Sequence, residues 1–367
     1  MSTILEQPTE LTPVTEPPFS LKKYLPSTDR IVGGLPGAGK SLGITLLSML
    51  AFLLVWQLAA GYLYGVEADA RVERVLAEQG AEAAAEMRDC IASGDVSCKP
   101  NTLPAPAEVW RAGQQLLADH YVIRAEKAAF AERTAAINEQ RAAQGLDLIT
   151  YTGRPSFVDQ IFTSLKTVVV GFFIALFIAV PIGIAMGLNE RLRTAFNWFI
   201  QVFKPVSPVV WLLLVFMIIK TLTLGSDSDT SFLISAISVG LCSMWATLVN
   251  TSVGVSSVPQ DYLNVAKVLK LGLGKKIFKV ILPSAIPLIF TGLRITVSVA
   301  WMVLIAIELL AQSPGLGSFV WEEFQNGAND SNAKIIVAMF LIGFIGFLLD
   351  RIMYYVQQSV SFEKALA

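Results

Sequence analysis

Six stretches of this chain are apolar on nearly every side, and polar connections separate them. The runs are 42–64, 161–188, 196–222, 232–253, 282–310 and 335–357. A helix rises about 1.5 Å per residue, so the first run covers about 35 Å, enough for a hydrocarbon layer of about 30 Å. Trp56, Tyr62 and Tyr64 lie toward its end like an interfacial aromatic belt. Pro181 predicts a kink in the second run, and Gly183 and Gly187, four apart, permit close helix approach. Pro205 and Pro208 break the early part of the third run.

Two long segments depart from this pattern. Residues 1–41 are polar and rich in Pro and Thr, then Gly, which predicts a mobile tail. No cleavable signal peptide is expected, because the first apolar run starts too late and no small-residue site promptly follows it. Residues 66–159 are polar, with Ala, Glu and Arg enriched over 67–89 and again over 107–143, which predicts two helices. Between them Cys90 and Cys98 close a short polar loop.

The stretch 257–293 is amphipathic at first and then apolar. Tyr262, Val265, Ala266, Leu269 and Leu273 recur at helical spacing, while Lys267 and Lys270 fall off that stripe. Gly272 and Gly274 predict a break, and Pro283 the first turn of a new helix. The expectation is a short amphipathic helix, a sharp turn and re-entry into the membrane. Taken alone, such a helix could simply lie in the interface.

Lys and Arg in the connections set the orientation. The tail carries Lys22, Lys23, Arg30 and Lys40; the connection after the second run carries Arg191 and Arg193; the amphipathic stretch carries Lys267, Lys270, Lys275, Lys276 and Lys279. The opposite connections hold mainly Asp227, Asp229, Glu322, Glu323 and Asp330, with Lys220 and Lys334 at their edges. Both termini and the amphipathic stretch are therefore expected in the cytoplasm. Residues 66–159 then fall outside, where disulfides persist, so Cys90–Cys98 is a disulfide candidate. Spacing alone leaves free thiols open.

Composition narrows the function classes. The chain is 54% hydrophobic and 16% charged, with a mean hydropathy of +0.58, as an integral membrane protein requires. A net charge of -1 gives no basic field for nucleic acid. One histidine, His120, and three cysteines leave little for a metal site or a His-dependent triad, so no catalytic residue and no metal are assigned.

One local motif points elsewhere. Gly34-Leu35-Pro36-Gly37-Ala38-Gly39-Lys40-Ser41 fits the P-loop pattern G-x-x-x-x-G-K-[ST]. A working P-loop needs a buried strand before it and a soluble helix after it. Here too little sequence precedes it for a sheet, and the following helix is apolar all round. Two readings remain: a Gly-rich linker ending in a cationic anchor, where the helix N-terminus could attract a phosphate such as a lipid's, or a P-loop membrane enzyme or regulator using Gly34–Ser41.

The 257–293 stretch resembles the cytoplasmic coupling loop of bacterial ABC-importer permeases, the "EAA…G…I-LP" pattern. Aligned on Pro283, the EAA triplet falls on Asn264, Val265 and Ala266, the glycine on Lys270, and the Leu-Pro on Leu282 and Pro283. The Glu and the Gly are thus both replaced. The triplet Glu308-Leu309-Leu310 and the run Gly315-Leu316-Gly317 are similar to the permeases of nitrate, bicarbonate, cyanate, sulfonate and taurine importers, and 261–269 to the nitrate/bicarbonate branch. Leu103-Pro104-Ala105-Pro106-Ala107-Glu108-Val109-Trp110 resembles a segment that in this family follows the first span, so 66–102 and roughly 122–157 look like insertions.

The resemblance implies an all-α integral membrane protein of the type I importer kind, with six transmembrane helices in a bacterial inner membrane. The implied layout is a cytoplasmic tail 1–41, a first transmembrane helix 42–64, a periplasmic helical insertion 65–159, a core 160–357 with coupling loop 257–281, and a cytoplasmic C-terminus 358–367. It implies a permease subunit for a small anion, nitrate, nitrite or bicarbonate ahead of sulfonate or taurine. The subunit would pair as a homodimer amid membrane lipid with two cytoplasmic ATPase subunits, which use ATP and Mg, and with a periplasmic solute-binding protein. The chain itself would bind no cofactor. Asp261, Tyr262, Asn264, Val265, Ala266, Leu269, Lys270, Gly272, Leu282 and Pro283 would form the ATPase-coupling element. Gly272 and Gly274 are expected to take over the turn that Lys270 lacks the glycine for. Without a Glu at Asn264, docking would rest more on packing.

The fifth run holds the polar residues of interest for a path: Arg294, Thr296, Ser298 and Glu308. Ionisable groups in a span usually face the bundle interior or water. Arg294 could attract an anion, or make an interhelical contact or snorkel to the interface; Glu308 would repel an anion near the outer end. The two lie roughly 21 Å apart along a helix and cannot pair within it. Thr296 and Ser298 either line the path or bond the preceding turn. Asp350-Arg351 read as an interfacial anchor. A secondary transporter would show inverted repeats and a charge relay, and neither is evident.

Overall fold

A computed structural model describes residues 37–95, 97–223, 230–328 and 330–360, with only the backbone described for 37–41. Every regular element among them is a helix. The P-loop match at Gly34–Ser41 thus lies outside the described residues, save for helical backbone over its second half. The chain divides into two units, Met1–Ala59 and Ala60–Ala367. In the first, Leu46, Leu50, Phe52 and Leu54 stand exposed as on a lipid-facing helix.

α1 (Gly37–Gln79) runs without a break from the first apolar run into the polar segment. The expected stop after residue 64 is absent because nothing there interrupts a helix-favouring Ala/Glu/Arg sequence. The helix expected over 67–89 is instead split at Gly80, whose φ of 93° only glycine tolerates well, and resumes as α2 (Ala81–Ser93). Cys90 and Cys98 are disulfide-bonded across the loop that follows, and Arg71 donates to the Cys98 and Lys99 carbonyls. α3 (Pro106–Ala143) starts on Pro106, with the Glu108 carboxylate accepting from the Ala105 N–H at 3.0 Å. Burial would raise the Glu108 carboxyl, but bonds from Lys99 and the Ala105 N–H outweigh it and hold it below the usual range. His120 meets Ser156 Oγ at 2.8 Å, and Ser156 caps the next helix.

That helix, α4 (Phe157–Leu188), forms the centre of the core with α7 (Ser231–Ser256). Their seam is closed by small residues. A Cβ on Gly183 would lie 2.7 Å from Thr251 Cβ, and one on Gly187 2.5 Å from Val255 Cβ, so the helices approach as only glycine permits. Pro181 lies inside α4, which continues through it.

The third apolar run is not one helix. It is α5 (Glu190–Phe203) followed by α6 (Pro208–Leu222), bent by 103° at the break. Pro205 and Pro208 supply no N–H there, and Ser207 Oγ accepts from the Val209 N–H to cap the new helix. Among the described residues, five helices are long and apolar enough to cross a membrane, or six if the bent pair counts as one span.

After α7 come α8 (Gln260–Val268), α9 (Leu273–Lys276), a π-helical turn (Ile277–Ile281) and α10 (Leu282–Ala311). The new helix expected at Pro283 is a correction: α9, the π-turn and α10 form one helix of 39 residues from Leu273 to Ala311. Gly272 caps it and Gly274 lies within its first turn. Pro283 cannot donate to the preceding turn, and the π-turn just before it absorbs the misfit. α11 (Leu316–Asn326) and α12 (Ser331–Val360) complete the chain. Leu304, Ile307, Trp301, Val239 and Val168 form the main apolar core, and the Trp301 indole N–H bonds the Ile342 carbonyl of α12 at 2.9 Å.

Candidate functional site: the coupling element and the rod behind it

α8 leaves α7 through Val258, which is buried, and Pro259, which caps its start. Its stripe divides in two. Leu263 packs inward with Ile277 against Ile281, Ala285 and Val258, and Ala266 is 1% exposed. Tyr262, Val265 and Leu269 point away from the chain and are exposed, as are Leu273 and Val268, the last at 81%. Ala266, expected to fill a partner's groove, is thus enclosed by its own chain. The small side chain lets the returning rod close against α8.

The turn after α8 is a complete Schellman cap. The Leu271 N–H bonds the Ala266 carbonyl at 3.0 Å and the Lys270 N–H bonds the Lys267 carbonyl at 2.9 Å. Its left-handed position is Lys270, at φ 49°. The residue that replaces the expected glycine therefore keeps the glycine's backbone conformation. Gly272, with φ -62°, does not take over the turn. Asp261 and Asn264 are exposed on α8, Leu282 is half-buried, and Pro283 is exposed.

The four residues expected along a path separate. Arg294 donates to Asp350 of α12 through Nε at 2.6 Å and Nη2 at 2.7 Å, and its guanidinium lies 5.3 Å from the Tyr354 ring. The Asp350 side chain is thus an interhelical partner, not a free anchor, and Arg294 makes the interhelical contact that was the alternative to an anion site. Arg294 and Ser298 border an open cavity of about 500 Å³ with Thr291, Met302, Asp350 and Gln357. Thr296 is buried elsewhere, its hydroxyl 2.7 Å from Thr247 Oγ1 and donating to the Ser243 carbonyl at 3.1 Å. Glu308 is also buried. Its carboxylate meets Ser164 Oγ at 2.8 Å from both oxygens and accepts the Gly317 N–H at 3.0 Å. So the structure brings Arg294 and Ser298 to one cavity and puts Thr296 and Glu308 into helix contacts.

Sequence reasoning missed Val268 and Phe278 as exposed apolar residues, Leu263 as the inward anchor of α8, and Asp350 as the partner of Arg294. The last had a signal: Arg294 is the single basic residue of its apolar run and Asp350 the single acidic residue of its own, and opposite charges within spans tend to pair.

This geometry defines a class: an all-α, multi-span membrane protein whose longest core helix extends beyond the apolar run to carry a short exposed amphipathic helix. Residues 156–362 match the family model of the inner membrane component of binding-protein-dependent transport systems, and the chain belongs to that family. It is the membrane-spanning permease subunit of an ABC importer, a transport component. The nitrate import permease protein NrtB of Synechococcus elongatus is 34% identical over 202 residues, 55% of this chain and 69% of that one. The bicarbonate transport system permease protein CmpB of Synechocystis is 36% identical over 203 residues, 55% and 68% of the two chains. The taurine transport system permease protein TauC of Escherichia coli is 32% identical over 208 residues, 55% and 71%. A solved inward-facing structure of the MetNI methionine ABC transporter is 16% identical, with a TM-score of 0.47 over 56% of this chain and 95% of the other.

Proposed function

We propose that the chain forms the translocation path of an importer for a small inorganic anion, nitrate or nitrite first and bicarbonate next. The relatives NrtB, a nitrate import permease, and CmpB, a bicarbonate transport permease, support that choice of solute; sulfonate or taurine import, after TauC, is the runner-up. In this reading two copies pair in the bacterial inner membrane, both termini are cytoplasmic, and each α8 docks in a groove of a separate ATPase subunit. A periplasmic solute-binding protein meets the opposite face, close to where the insertion 65–159 would stand. ATP and Mg act in the ATPase, and this chain binds no cofactor.

The observation that carries the reading is the exposed apolar face of Tyr262, Val265 and Leu269 on a helix capped tightly onto the 39-residue rod. A partner that covers this face can move the rod as a rigid body. Exposed Lys267 and Lys270 beside it set the charge a partner must complement.

The test is ATP hydrolysis by the reconstituted complex with its binding protein, screened over nitrate, nitrite, bicarbonate, cyanate and taurine. Stimulation by nitrate, nitrite or bicarbonate is expected; stimulation by taurine alone would move the solute to the runner-up. Hydrolysis lost in Lys40→Ala, with the complex intact, would instead favour the regulator reading of Gly34–Ser41. Transport by the isolated chain without ATP would sink the importer reading.

A further inference from the structure

The end of the rod away from α8 is held by a buried polar cluster. Gln312, at φ 49°, ends α10, and the chain turns through Ser313 and Pro314 into α11. The Glu308 carboxylate sits inside this turn and is 1% exposed. Two donors from two other elements reach it: the Ser164 hydroxyl of α4, and the Gly317 N–H in the first turn of α11. Ser164 Oγ in turn accepts the Leu316 N–H at 2.9 Å, so one carboxylate and one hydroxyl close a loop through α10, α4 and α11.

Glycines let the turn close on the carboxylate. A Cβ at Gly315 would lie 2.2 Å from Glu308 Cδ, and one at Gly317 2.3 Å from the Ile305 carbonyl oxygen. The Ser318 hydroxyl adds bonds to the Glu308 carbonyl, at 3.1 Å, and to the Ser313 carbonyl. An isolated buried carboxylate is a costly way to hold a turn, since an apolar side chain would fill the space without desolvating a charge. What the carboxylate adds is a short, directional link to two elements at once.

The geometry points to Glu308 as a positioning residue for transport: it is the joint through which a displacement of the rod is delivered to α11 and α4 together. The inference rests on the importer reading, in which the rod is driven from α8. The rod is continuous from Leu273 to Ala311 and spans about 58 Å. Ser318 already ties α11 to the end of the rod; the carboxylate adds the side-chain link that brings α4 in through Ser164 and fixes both elements to one point on the rod. Ser164 is the second half of the joint, since it holds both the carboxylate and the start of α11. Motion must also pass the other way, since a binding protein engages the far face and the ATPase the α8 face.

The experiment measures ATP hydrolysis with and without loaded binding protein, and solute uptake, in the full reconstituted complex of the wild type, Glu308→Gln and Ser164→Ala. Gln keeps the shape but turns an NH2 toward a donor, and Ala at 164 removes the shared hydroxyl while leaving the carboxylate. The expected result for both variants is an assembled complex with basal hydrolysis near the wild-type rate. Uptake and the stimulated increment fall about tenfold, the equivalent of one charged hydrogen bond lost from the coupled step. Glu308→Asp, which keeps the charge but shortens the reach, should show a smaller loss. The inference is overturned if both variants keep wild-type stimulation and uptake per assembled complex. It is also overturned if basal and stimulated rates fall together with loss of assembly, the mark of a purely structural role. A wild-type chain that neither binds an ATPase nor imports would instead refute the importer reading itself.

Discussion

The two ends of the rod solve opposite problems. At the far end, Glu308, Ser164 and the first turn of α11 enclose one another, and each polar group has its partner inside the chain. At the α8 end, only Leu263 and Ala266 turn inward, while Tyr262, Val265, Val268 and Leu269 are left in the open. An interior that is complete needs no other molecule; an apolar face on a firmly capped helix is unfinished. The difference teaches where the chain is self-sufficient and where it awaits a partner.

If that contrast is right, substitutions at the two ends must fail in different ways. The largest effect is expected for Glu308→Ala, which leaves the Ser164 hydroxyl and the Gly317 N–H without their acceptor and opens a void. It should cost about 3–5 kcal/mol, read as a lowered melting temperature of the detergent-purified chain. A melting temperature unchanged from wild type would remove the far end from the comparison.

At the α8 end the comparison sharpens to two neighbouring residues. Ala266→Leu forces a larger side chain into the closed side of α8 and should destabilise the chain by about 1–3 kcal/mol. Val265→Asp, one residue earlier, faces away from the chain and should change stability by no more than about 0.5 kcal/mol. Thermal unfolding of the two variants side by side checks this; equal losses would mean that α8 has no inward and outward side.

Midway between the ends, Arg294 and Asp350 form a two-bond pair whose side chains are 35% and 29% exposed. Solvent screens such a pair, so a double-mutant cycle over Arg294→Met and Asp350→Asn should return a coupling energy of about 1 kcal/mol. A coupling near zero would free Arg294 for the anion role that its place beside the cavity allows.

The smallest effect is a gain. Lys270 holds a left-handed conformation that glycine adopts without strain, so Lys270→Gly should stabilise the chain by about 0.5–1 kcal/mol in chemical or thermal unfolding. A loss would show that the Lys270 side chain makes a compensating contact.

The pattern of spans was legible because apolar runs need only length and lack of charge, and the close approach at Gly183 and Gly187 because small residues four apart leave a groove. The family was legible in Leu282-Pro283 and in Glu308 with Gly315-Leu316-Gly317. The structure adds why those last residues go together: the glycines make room for the carboxylate. Other features depended on partners far along the chain. Ala266 lies on the same stripe as Val265 and Leu269, and only the return of the rod decides that it is covered. Arg294 finds Asp350 across two helices, which no local pattern encodes. Gly272, Gly274 and Pro283 all read as punctuation; Gly272 does cap the rod, but Gly274 lies within its first turn and the π-turn leads the helix on into Pro283. Lys270 was ambiguous for a different reason: sequence gives the replaced residue, and only the backbone tells whether the turn moved with it.

The central claim, that the outward face of α8 docks the ATPase, is tested most directly by Val265→Asp. The measurement is the amount of ATPase subunit that co-purifies with the intact permease, together with solute uptake. The account predicts a normally folded Val265→Asp permease that retains little ATPase and imports nothing, while wild type retains it in equal numbers. A Val265→Asp permease that keeps its ATPase and its uptake would contradict it.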